Sequence, residues 1–361
     1  MPEALVCTFA ARGFVVWLGE MKRVRCVFMG TGAIACPSLR RLVAWGGVEV
    51  VGVVTQPDRP AGRHLQPQSS PVKQLAVGQG LPVLQPQRVR EPGFLEALAA
   101  WQPELVVVMA YGQILPRTVL ELPRHGCVNV HASLLPKYRG AAPIQWALAR
   151  GETETGVTLM QMDEGMDTGP ILAQRAVPIL PEDTAATLQD RLAVLGADLL
   201  VETLPAYLAG QIVPRPQPAE GVSYAPRLRK TDGLMDWALS ARDLWLRVRA
   251  FDPWPGTFTW WWRRGEPSGP GGAGSAEEED KPRWAGPVLL KVWRATVESG
   301  SGRVGEVLEV NPRGVLVGCG QGILRLLEVQ REGGRRMGIA EFLAGNPMRP
   351  GDRLGSMEPP V

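Results

Sequence analysis

The sequence predicts an α/β fold in which an N-terminal Rossmann-like domain with a mostly parallel sheet precedes a C-terminal, OB-like β-barrel domain. From residue 22 to residue 208, short apolar runs alternate with amphipathic ones, a pattern typical of a parallel sheet covered by helices on both faces. After a proline-rich segment, strand-like runs follow one another between Gly, Pro and Asn turns, which indicates a β-rich second domain. The 361 residues are enough to bury two cores.

The elements of the first domain, expected at residues 22 to 208, follow in regular order. Uniformly apolar runs predict strands at Val24 to Met29, Val48 to Thr55, Leu105 to Ala110, Cys127 to His131 and Thr155 to Met162. Amphipathic spacing predicts helices at Ile34 to Trp45, Pro71 to Gly78, Pro92 to Trp101 and Thr184 to Leu208. Thr184 has a side chain suited to capping the last of these helices.

The remaining chain changes character. Residues 209 to 223 contain prolines at alternate positions and predict a stiff interdomain linker. Residues 224 to 361 are expected to form the β-barrel, with strands at Val288 to Val292, Gly305 to Val310, Gly314 to Val317 and Ile323 to Leu327. The Gly-rich and acidic residues 264 to 280 predict a disordered insertion in that domain. Residues 1 to 21 are expected to be a non-native or disordered extension, because Met21 is followed at once by two basic residues and the first strand.

Composition and charge exclude several classes of protein. Apolar residues make up 45% and charged residues 21% of the chain, as in an average soluble protein. No apolar run approaches the roughly 18 residues that a membrane-spanning helix needs. The five cysteines lack the paired spacing of zinc sites and indicate unpaired thiols in a reducing compartment. We therefore expect a cytoplasmic protein without a metal, and the net charge of +3 permits an anionic partner without requiring one.

The predicted strand Cys127 to His131 offers the first candidate site. Because side chains alternate along a strand, Asn129 and His131 project from the same face. They lie at the carboxyl end of a predicted parallel strand, where open α/β sheets bind their ligands. An imidazole beside a carboxamide provides donors suited to stabilising charge that develops on a carbonyl oxygen. Taken alone, the pair is also compatible with a local role, in which both groups bond to backbone at the strand end.

A second candidate is Asp167, which lies between Gly165 and Gly169 after the strand that ends near Met162. Glycines on both sides favour a mobile loop tip with an ionisable centre. In isolation, an ordinary Asp-Thr-Gly turn explains the same pattern. Only the combination with Asn129 and His131 raises the weight of the catalytic interpretation.

Gly30, Gly32 and Ala35 fit the spacing of a dinucleotide-binding fingerprint, directly after a strand and before a helix. The acidic residue expected about 20 residues further on is missing, because the second strand ends at Thr55 and Asp58 lies beyond it. A nicotinamide-dependent dehydrogenase is therefore a weaker alternative.

With these residues in view, the chain resembles the folate-dependent formyltransferase superfamily. The resemblance rests on Asn129, His131, Ser133, Leu134, Leu135, Pro136, Tyr138, Arg139, Gly140 and Pro143, and on Asp167 in its Asp-Thr-Gly setting. It implies that Asn129, His131 and Asp167 are the catalytic trio, that the segment Ser133 to Pro136 contacts the folate, and that 10-formyltetrahydrofolate is the formyl donor. An amine would attack the formyl carbon, Asn129 and His131 would hold the oxyanion, and Asp167 would position His131 and relay the proton.

Further residues resemble the methionyl-tRNA branch of that superfamily. They are Thr55 to Arg63, Gly140 to Gln145 and Arg249 to Gly256. This likeness implies initiator methionyl-tRNA as partner, a tRNA-binding second domain, a monomer, and Arg59 and Arg63 as tRNA contacts in the loop after Pro57. Two departures stand out: Gly32 replaces a usual proline, and His64 to Gln66 replace frequent lysines, which removes counterion-release affinity from this loop.

Two further alternatives stay open. An enzyme with the same catalytic core could use another acceptor, such as glycinamide ribonucleotide, an amino sugar or water, although residues 224 to 361 exceed what a small acceptor requires. A non-catalytic RNA-binding protein would have lost part of the trio, which is complete here. Trp260, Trp261 and Trp262 could stack on bases, but adjacent tryptophans in a β-rich domain favour packing.

Overall fold

The computed structural model describes residues 23 to 61, 66 to 265 and 284 to 358. The predicted extension of residues 1 to 21 lies outside these ranges, as do residues 266 to 280 of the predicted insertion.

The first part of the chain builds an α/β sandwich. Its elements are β1 (Val24–Gly30), α1 (Cys36–Ala44), β2 (Val48–Val54), β3 (Arg59–Ala61), β4 (Gln66–Gln68), α2 (Pro71–Gly78), β5 (Val83–Leu84), α3 (Pro92–Ala100), β6 (Leu105–Met109), α4 (Arg117–Leu120), β7 (Cys127–His131), β8 (Arg139–Gly140), α5 (Pro143–Ala149), β9 (Glu154–Gln161), β10 (Ile171–Pro178) and α6 (Ala185–Leu208). A short 3-10 turn, Ala33–Ala35, precedes α1.

The central sheet has the strand order β10, β9, β7, β6, β1, β2, β5. Strands β5, β2, β1, β6 and β7 are parallel, whereas β9 is antiparallel to both of its neighbours. The prediction of a mostly parallel sheet is thereby confirmed. All five residues of β6 and of β7 are buried, as expected for strands that are covered on both faces.

Two apolar cores cover the faces of this sheet. One contains Phe28, Val107 and Val130 together with α1 and α6, and the other contains the adjacent residues of the same strands with α3 and α4. Helix α6 approaches β7 closely at Gly196, where an added Cβ would lie 2.9 Å from the Val130 side chain. Close packing against the long helix therefore holds β7 in place, and the end of β7 carries the candidate site.

Capping explains where α2 and α6 begin. The Ser70 hydroxyl accepts a hydrogen bond from the Lys73 amide at 3.1 Å, with Pro71 in the first turn of α2. At α6, Thr184 and Thr187 bond to each other's amides in a capping box. The cap expected from Thr184 is present.

The second part is an antiparallel sheet with two helices. Its elements are β11 (Tyr224–Ala225), α7 (Ala241–Ala250), β12 (Thr257–Arg264), β13 (Trp284–Glu298), β14 (Val307–Asn311), β15 (Gly314–Gly318), β16 (Ile323–Arg331), β17 (Met337–Gly338), α8 (Ile339–Gly345) and β18 (Arg353–Gly355), with a 3-10 turn at Lys230–Gly233. Strand β11 pairs with β8 of the first part. The others run in the order β14, β15, β16, β13, β12, β18, with β17 beside β16.

This second sheet curves toward an OB-like barrel without closing as a continuous ladder. Its terminal strands, β14 and β18, are joined by the isolated bridge between Glu306 and Arg353. Trp261 and Trp262 are buried, and their indole N–H groups donate to Asp352 and to a backbone carbonyl at the chain end. Both tryptophans pack in the domain, in agreement with the packing interpretation.

No helix within the described ranges is long and apolar enough to cross a membrane. Cys26, Cys36, Cys127 and Cys319 are free and buried.

Candidate functional site

The candidate site is a cavity of about 540 Å³ at the carboxyl end of the parallel strands. It is lined by the ends of β6 and β7 and by the segments around them: Gly32 and Ile34, 108 to 115, 129 to 132, 140 to 141, 143 to 145, 162 to 163 and 165 to 167, with Gln189 of α6. Strands β1 and β6 are neighbours whose connections run to opposite sides of the sheet. Such a switch point is where doubly wound sheets form their ligand crevice.

Asn129 and His131 reach this cavity from β7 as alternate residues of one strand. Their exposed fractions are 8% and 6%, so each side chain presents only a small surface to the cavity. Val130, between them, faces α6 on the other side of the strand. The strand therefore supplies two polar groups from a rigid and buried support.

Asp167 joins this pair from the loop between β9 and β10. Its Oδ1 accepts a hydrogen bond from Asn129 Nδ2 at 3.3 Å and lies 3.7 Å from His131 Nδ1. Its Oδ2 accepts a hydrogen bond from the Gly140 amide at 2.8 Å. The structure thus brings the three predicted catalytic residues together, although Asp167 is far from the other two in sequence.

The orientation of the His131 ring follows from its second contact. Its Nε2 lies 3.0 Å from the carbonyl oxygen of Tyr138. A carbonyl can only accept a hydrogen bond, so this nitrogen carries a proton and donates it. Nδ1 is then the nitrogen that faces Asp167 and the cavity, and it is the one available to change its protonation during a reaction.

Backbone conformation holds Asp167 in this place. The residue has φ +54°, a left-handed conformation that is sparsely populated for residues other than glycine. Gly140 has φ +122°, and a Cβ there would lie 2.7 Å from the Ala225 carbonyl oxygen. Only glycine can therefore present its amide to the Asp167 carboxylate at this point.

The rest of the cavity is largely apolar. Ile114 and Met166 are large hydrophobic side chains that are 62% and 50% exposed, and both line the cavity. Sequence reasoning missed the loop that carries Ile114, which follows β6 and continues to Leu115. The signal was available, because β6 is a fully apolar predicted strand and its carboxyl end belongs to the same sheet edge as that of β7.

The segment Ser133 to Pro136, expected to contact folate, does not line this cavity. Ser133 is fully buried, and its hydroxyl donates to the Lys137 carbonyl at 2.6 Å. Leu135 is also buried. Leu134 and Pro136 line a separate cavity of about 520 Å³. In this structure the segment forms the turn that places Tyr138, whose carbonyl orients His131.

The segment after Pro57 was expected to be a loop that contacts tRNA, but its residue Arg59 begins β3, which pairs with β4. Arg59 is exposed, and Arg63 lies outside the described residues. Asp58 anchors the base of the loop, since its carboxylate accepts hydrogen bonds from Lys73 at 2.6 Å and from Gln85 at 2.8 Å. The hydrogen bond from Lys73 is the main reason that the pKa of Asp58 is lowered. Beside it, Gln56 donates to the Tyr111 carbonyl at 3.2 Å. The loop base is therefore tied to the wall of the cavity.

The contacts of Asp58 bear on the dinucleotide-binding alternative. Asp58 is the acidic residue nearest to the end of β2, and its carboxylate is already bonded to Lys73 and Gln85, so it is not free to bind a ribose as a dinucleotide site requires. Within the described ranges, no group of three or more His, Cys, Asp or Glu side chains could hold a metal ion.

Comparison with known proteins identifies two family regions. Residues 23–204 match the family described as formyl transferase, and residues 227–347 match the formyl transferase C-terminal domain. The methionyl-tRNA formyltransferase of Myxococcus xanthus is 49% identical over 333 residues, which cover 92% of this chain and 98% of that protein. The enzyme of the same name from Geobacter sulfurreducens is 46% identical over 335 residues, 93% of this chain and 98% of that protein.

Solved structures with low identity share the fold. The N-formyltransferase of Helicobacter canadensis, in complex with folinic acid and dTDP-3-aminofucose, has a TM-score of 0.57 at 18% identity, covering 87% of this chain and 100% of that one. HypX of Aquifex aeolicus, in complex with tetrahydrofolic acid, has a TM-score of 0.57 at 18% identity, covering 91% of this chain and 48% of that one.

Proposed function

The chain belongs to the methionyl-tRNA formyltransferase family, and on that premise we propose that it transfers the formyl group of 10-formyltetrahydrofolate to the α-amine of methionine on initiator tRNA. It is a transferase of translation initiation that uses a folate-type cosubstrate. The observation that carries the proposal is the meeting of Asn129, His131 and Asp167 at one cavity. The three are the residues that acyl transfer to an amine needs: two donors for an oxyanion and a carboxylate beside one of them.

The cavity suits a folate. Its volume of about 540 Å³ lies within the ~300–1,000 Å³ range of small-molecule sites. The exposed side chains of Ile114 and Met166 can cover the faces of a planar ring, and the backbone groups of the loop after β6 can bond to the polar edge of the ring. We therefore assign the pterin to this cavity and give the segment Ser133 to Pro136 a supporting role behind it.

The chemistry places charge on the formyl oxygen. When the amine nitrogen attacks the formyl carbon, the C=O double bond becomes a C–O⁻ single bond, and collapse of this intermediate breaks the bond from carbon to N10 of the folate. Asn129 Nδ2 is positioned to stabilise that oxygen, and so is His131 Nδ1 when the ring carries a proton on both nitrogens. The proton lost by the amine passes toward Asp167 and His131, and N10 takes up a proton as it leaves.

The acceptor is the larger of the two substrates. We propose that Arg59 and Arg63 contact its phosphates from the loop after β2, because the base of that loop is tied to the cavity wall through Gln56 and arginine is a strong phosphate ligand. The second domain supplies the additional surface that a tRNA requires. Since one chain provides the whole trio, we also propose that the enzyme acts as a monomer, in the cytoplasm where translation occurs.

The test is direct formylation. The protein is incubated with 10-formyltetrahydrofolate and methionyl-initiator tRNA, and formylmethionine is released by mild hydrolysis and detected by mass spectrometry. We expect formylmethionine from the wild type and at least a ~100-fold lower turnover from His131→Ala, with folate affinity nearly unchanged. An amino-sugar nucleotide is offered in parallel. Formylation of the sugar in preference to the charged tRNA would overturn the proposed acceptor, and near-normal turnover of His131→Ala would remove that residue from the mechanism.

A further inference from the structure

The segment between the two parts of the chain runs along the catalytic trio. Residues 211 to 225, here called the connector, follow α6 and end with β11. Arg215 exchanges two backbone hydrogen bonds with Ile171 at the start of β10, at 2.7 and 2.9 Å. At its far end, β11 pairs with β8, and the Ala225 carbonyl accepts a bond from the Ala141 amide at 2.9 Å. The connector is therefore attached on both sides of the site.

Between these attachments, Gln217 contacts the loop of Asp167. Its Nε2 donates to the carbonyl oxygens of Asp167 and Gly169, at 2.8 Å in each case. Its Oε1 accepts from Nε and a terminal guanidinium nitrogen of Arg139, at 3.1 and 2.7 Å. Guanidinium nitrogens only donate and carbonyl oxygens only accept. The amide is thus oriented in one way, with all four contacts satisfied.

The contacts of Gln217 support the Asp167 loop at its strained residue. Asp167 has a left-handed backbone, which costs on the order of 1–3 kcal/mol for such a residue and persists only where the surroundings impose it. Glycines flank the loop and allow it other conformations. Gln217 holds the peptide of Asp167 from one side while the Gly140 amide holds its carboxylate from the other.

A second group of the connector supports His131 in the same indirect manner. The Ser223 hydroxyl accepts a hydrogen bond from the Tyr138 amide at 2.9 Å, and the Ser223 carbonyl accepts one from the Arg139 amide at 2.9 Å. Tyr138 also has a left-handed backbone, with φ +62°. Its carbonyl oxygen is the one that fixes the His131 ring. The connector therefore braces both ionisable members of the trio.

We propose that Gln217 is a positioning residue, which sets the Asp167 carboxylate in place against Asn129 and His131 and so makes the interdomain connector part of the catalytic apparatus. The inference rests on the proposed function and adds to it, because it assigns a role in turnover to a segment outside the cavity. Gln217 contacts no reacting atom in this arrangement. It acts through the Asp167 peptide.

The test compares two substitutions of Gln217. Gln217→Met keeps the length of the side chain and removes all four hydrogen bonds. Gln217→Glu still accepts from Arg139 but can no longer donate, and its charge faces the carbonyls of Asp167 and Gly169. We expect both variants to lose about 10- to 100-fold in kcat, as small misplacements of catalytic groups do. The KM for the folate should change less than about threefold, and the melting temperature verifies that each variant is folded.

The control is Gln211→Met, which makes the same replacement at an exposed glutamine of the same connector and should leave kcat unchanged. A double-mutant cycle separates positioning from general stability. In an Asp167→Asn background, Gln217→Met should change the single-turnover rate by less than about twofold, because the group that it positions is already altered.

The outcomes are distinct. Normal kcat in either Gln217 variant overturns the inference, and for Gln217→Glu it would mean that anchoring Arg139 is the whole role. An undiminished effect of Gln217→Met in the Asp167→Asn background also overturns it. If one variant fails to fold, the other carries the test. A wild-type protein that forms no formylmethionine contradicts the proposed function itself, which is a different result from normal variants of an active enzyme.

Discussion

Replacing Asn129 by aspartate exchanges the amide NH2 for an oxygen and leaves the size of the side chain nearly unchanged. The amide that donates to Asp167 Oδ1 at 3.3 Å becomes a carboxylate oxygen, so a hydrogen bond turns into a contact between like charges. The donor proposed for the formyl oxygen is lost at the same time. We expect Asn129→Asp to be less active than Asn129→Ala, although aspartate is the closer match in shape.

The distance between the two groups sets the size of the repulsion, and known oxyanion sites indicate the size of the second effect. Coulomb's law with an effective dielectric constant of about 20 gives a repulsion of about 5 kcal/mol between unit charges 3.3 Å apart. Loss of one oxyanion donor reduces kcat by about 10²- to 10³-fold, or about 3–4 kcal/mol. Asn129→Ala should show the second effect alone. Asn129→Asp should show the second effect together with displacement of Asp167, and its kcat should fall by at least ~1,000-fold.

Formylation kinetics at saturating tRNA measure both variants, and thermal unfolding verifies their fold. Asn311→Asp is the matched control, because Asn311 donates to the carboxylate of Glu309 in an exposed hairpin and neither residue lines the cavity. Its kcat should equal that of the wild type. If Asn129→Asp retained more activity than Asn129→Ala, the carboxamide would not be an essential donor, and the contact with Asp167 would not need an uncharged partner.

Three further predictions address other parts of the chain. Arg63→Ala should raise the KM for tRNA at moderate salt and leave the KM for folate unchanged, and equal tRNA kinetics would place the contact elsewhere. Gly140→Ala puts a Cβ 2.7 Å from the Ala225 carbonyl at φ +122°; we expect a lower melting temperature and at least a ~10-fold lower kcat, and a neutral result would refute the need for glycine. Burial raises the pKa of Cys26 from 9.0 to about 12, so its contribution is complete below about pH 9 and lost as pH rises from there toward 12. Urea unfolding should therefore show that the advantage of wild type over Cys26→Ala shrinks by about 2 kcal/mol between pH 8 and pH 10.5, and a constant difference would contradict it.

The parallel strands of the first domain are predictable because the apolar pattern that indicates each strand lies within its own residues. The runs that form β6 and β7 are apolar at almost every position, and the predicted bounds of Cys127 to His131 coincide with those of β7. Alternation along that strand places Asn129 and His131 on one face without any knowledge of tertiary structure. The direction of β9 was not predictable in this way. Six of its eight residues are buried, as in a parallel strand, and its antiparallel pairing depends on neighbours that its own sequence does not encode.

The glycines around Asp167 made it a candidate, but only the resemblance assigned it to the catalytic trio. Its neighbours describe an ordinary turn, and the contacts that make it a member of the trio come from Asn129 and from the Gly140 amide, both distant in sequence. The segment Ser133 to Pro136 illustrates the opposite case. A resemblance places it at the folate, whereas in the structure Ser133 is buried and bonded within its own turn. Its influence on the site passes through the backbone of Tyr138.

The connector shows why a sequence pattern can indicate a conformation and still conceal a role. Pro216 and Pro218 lack amide hydrogens, so this stretch cannot continue the pairing that Arg215 begins with β10. A residue that precedes proline is restricted to extended conformations, and Gln217 is therefore held extended by Pro218. The same prolines that predict a stiff linker thus keep the chain straight beside the site and leave contact with the Asp167 loop to one side chain. The stiffness of the connector could be predicted from the sequence, but its contact with the Asp167 loop could not.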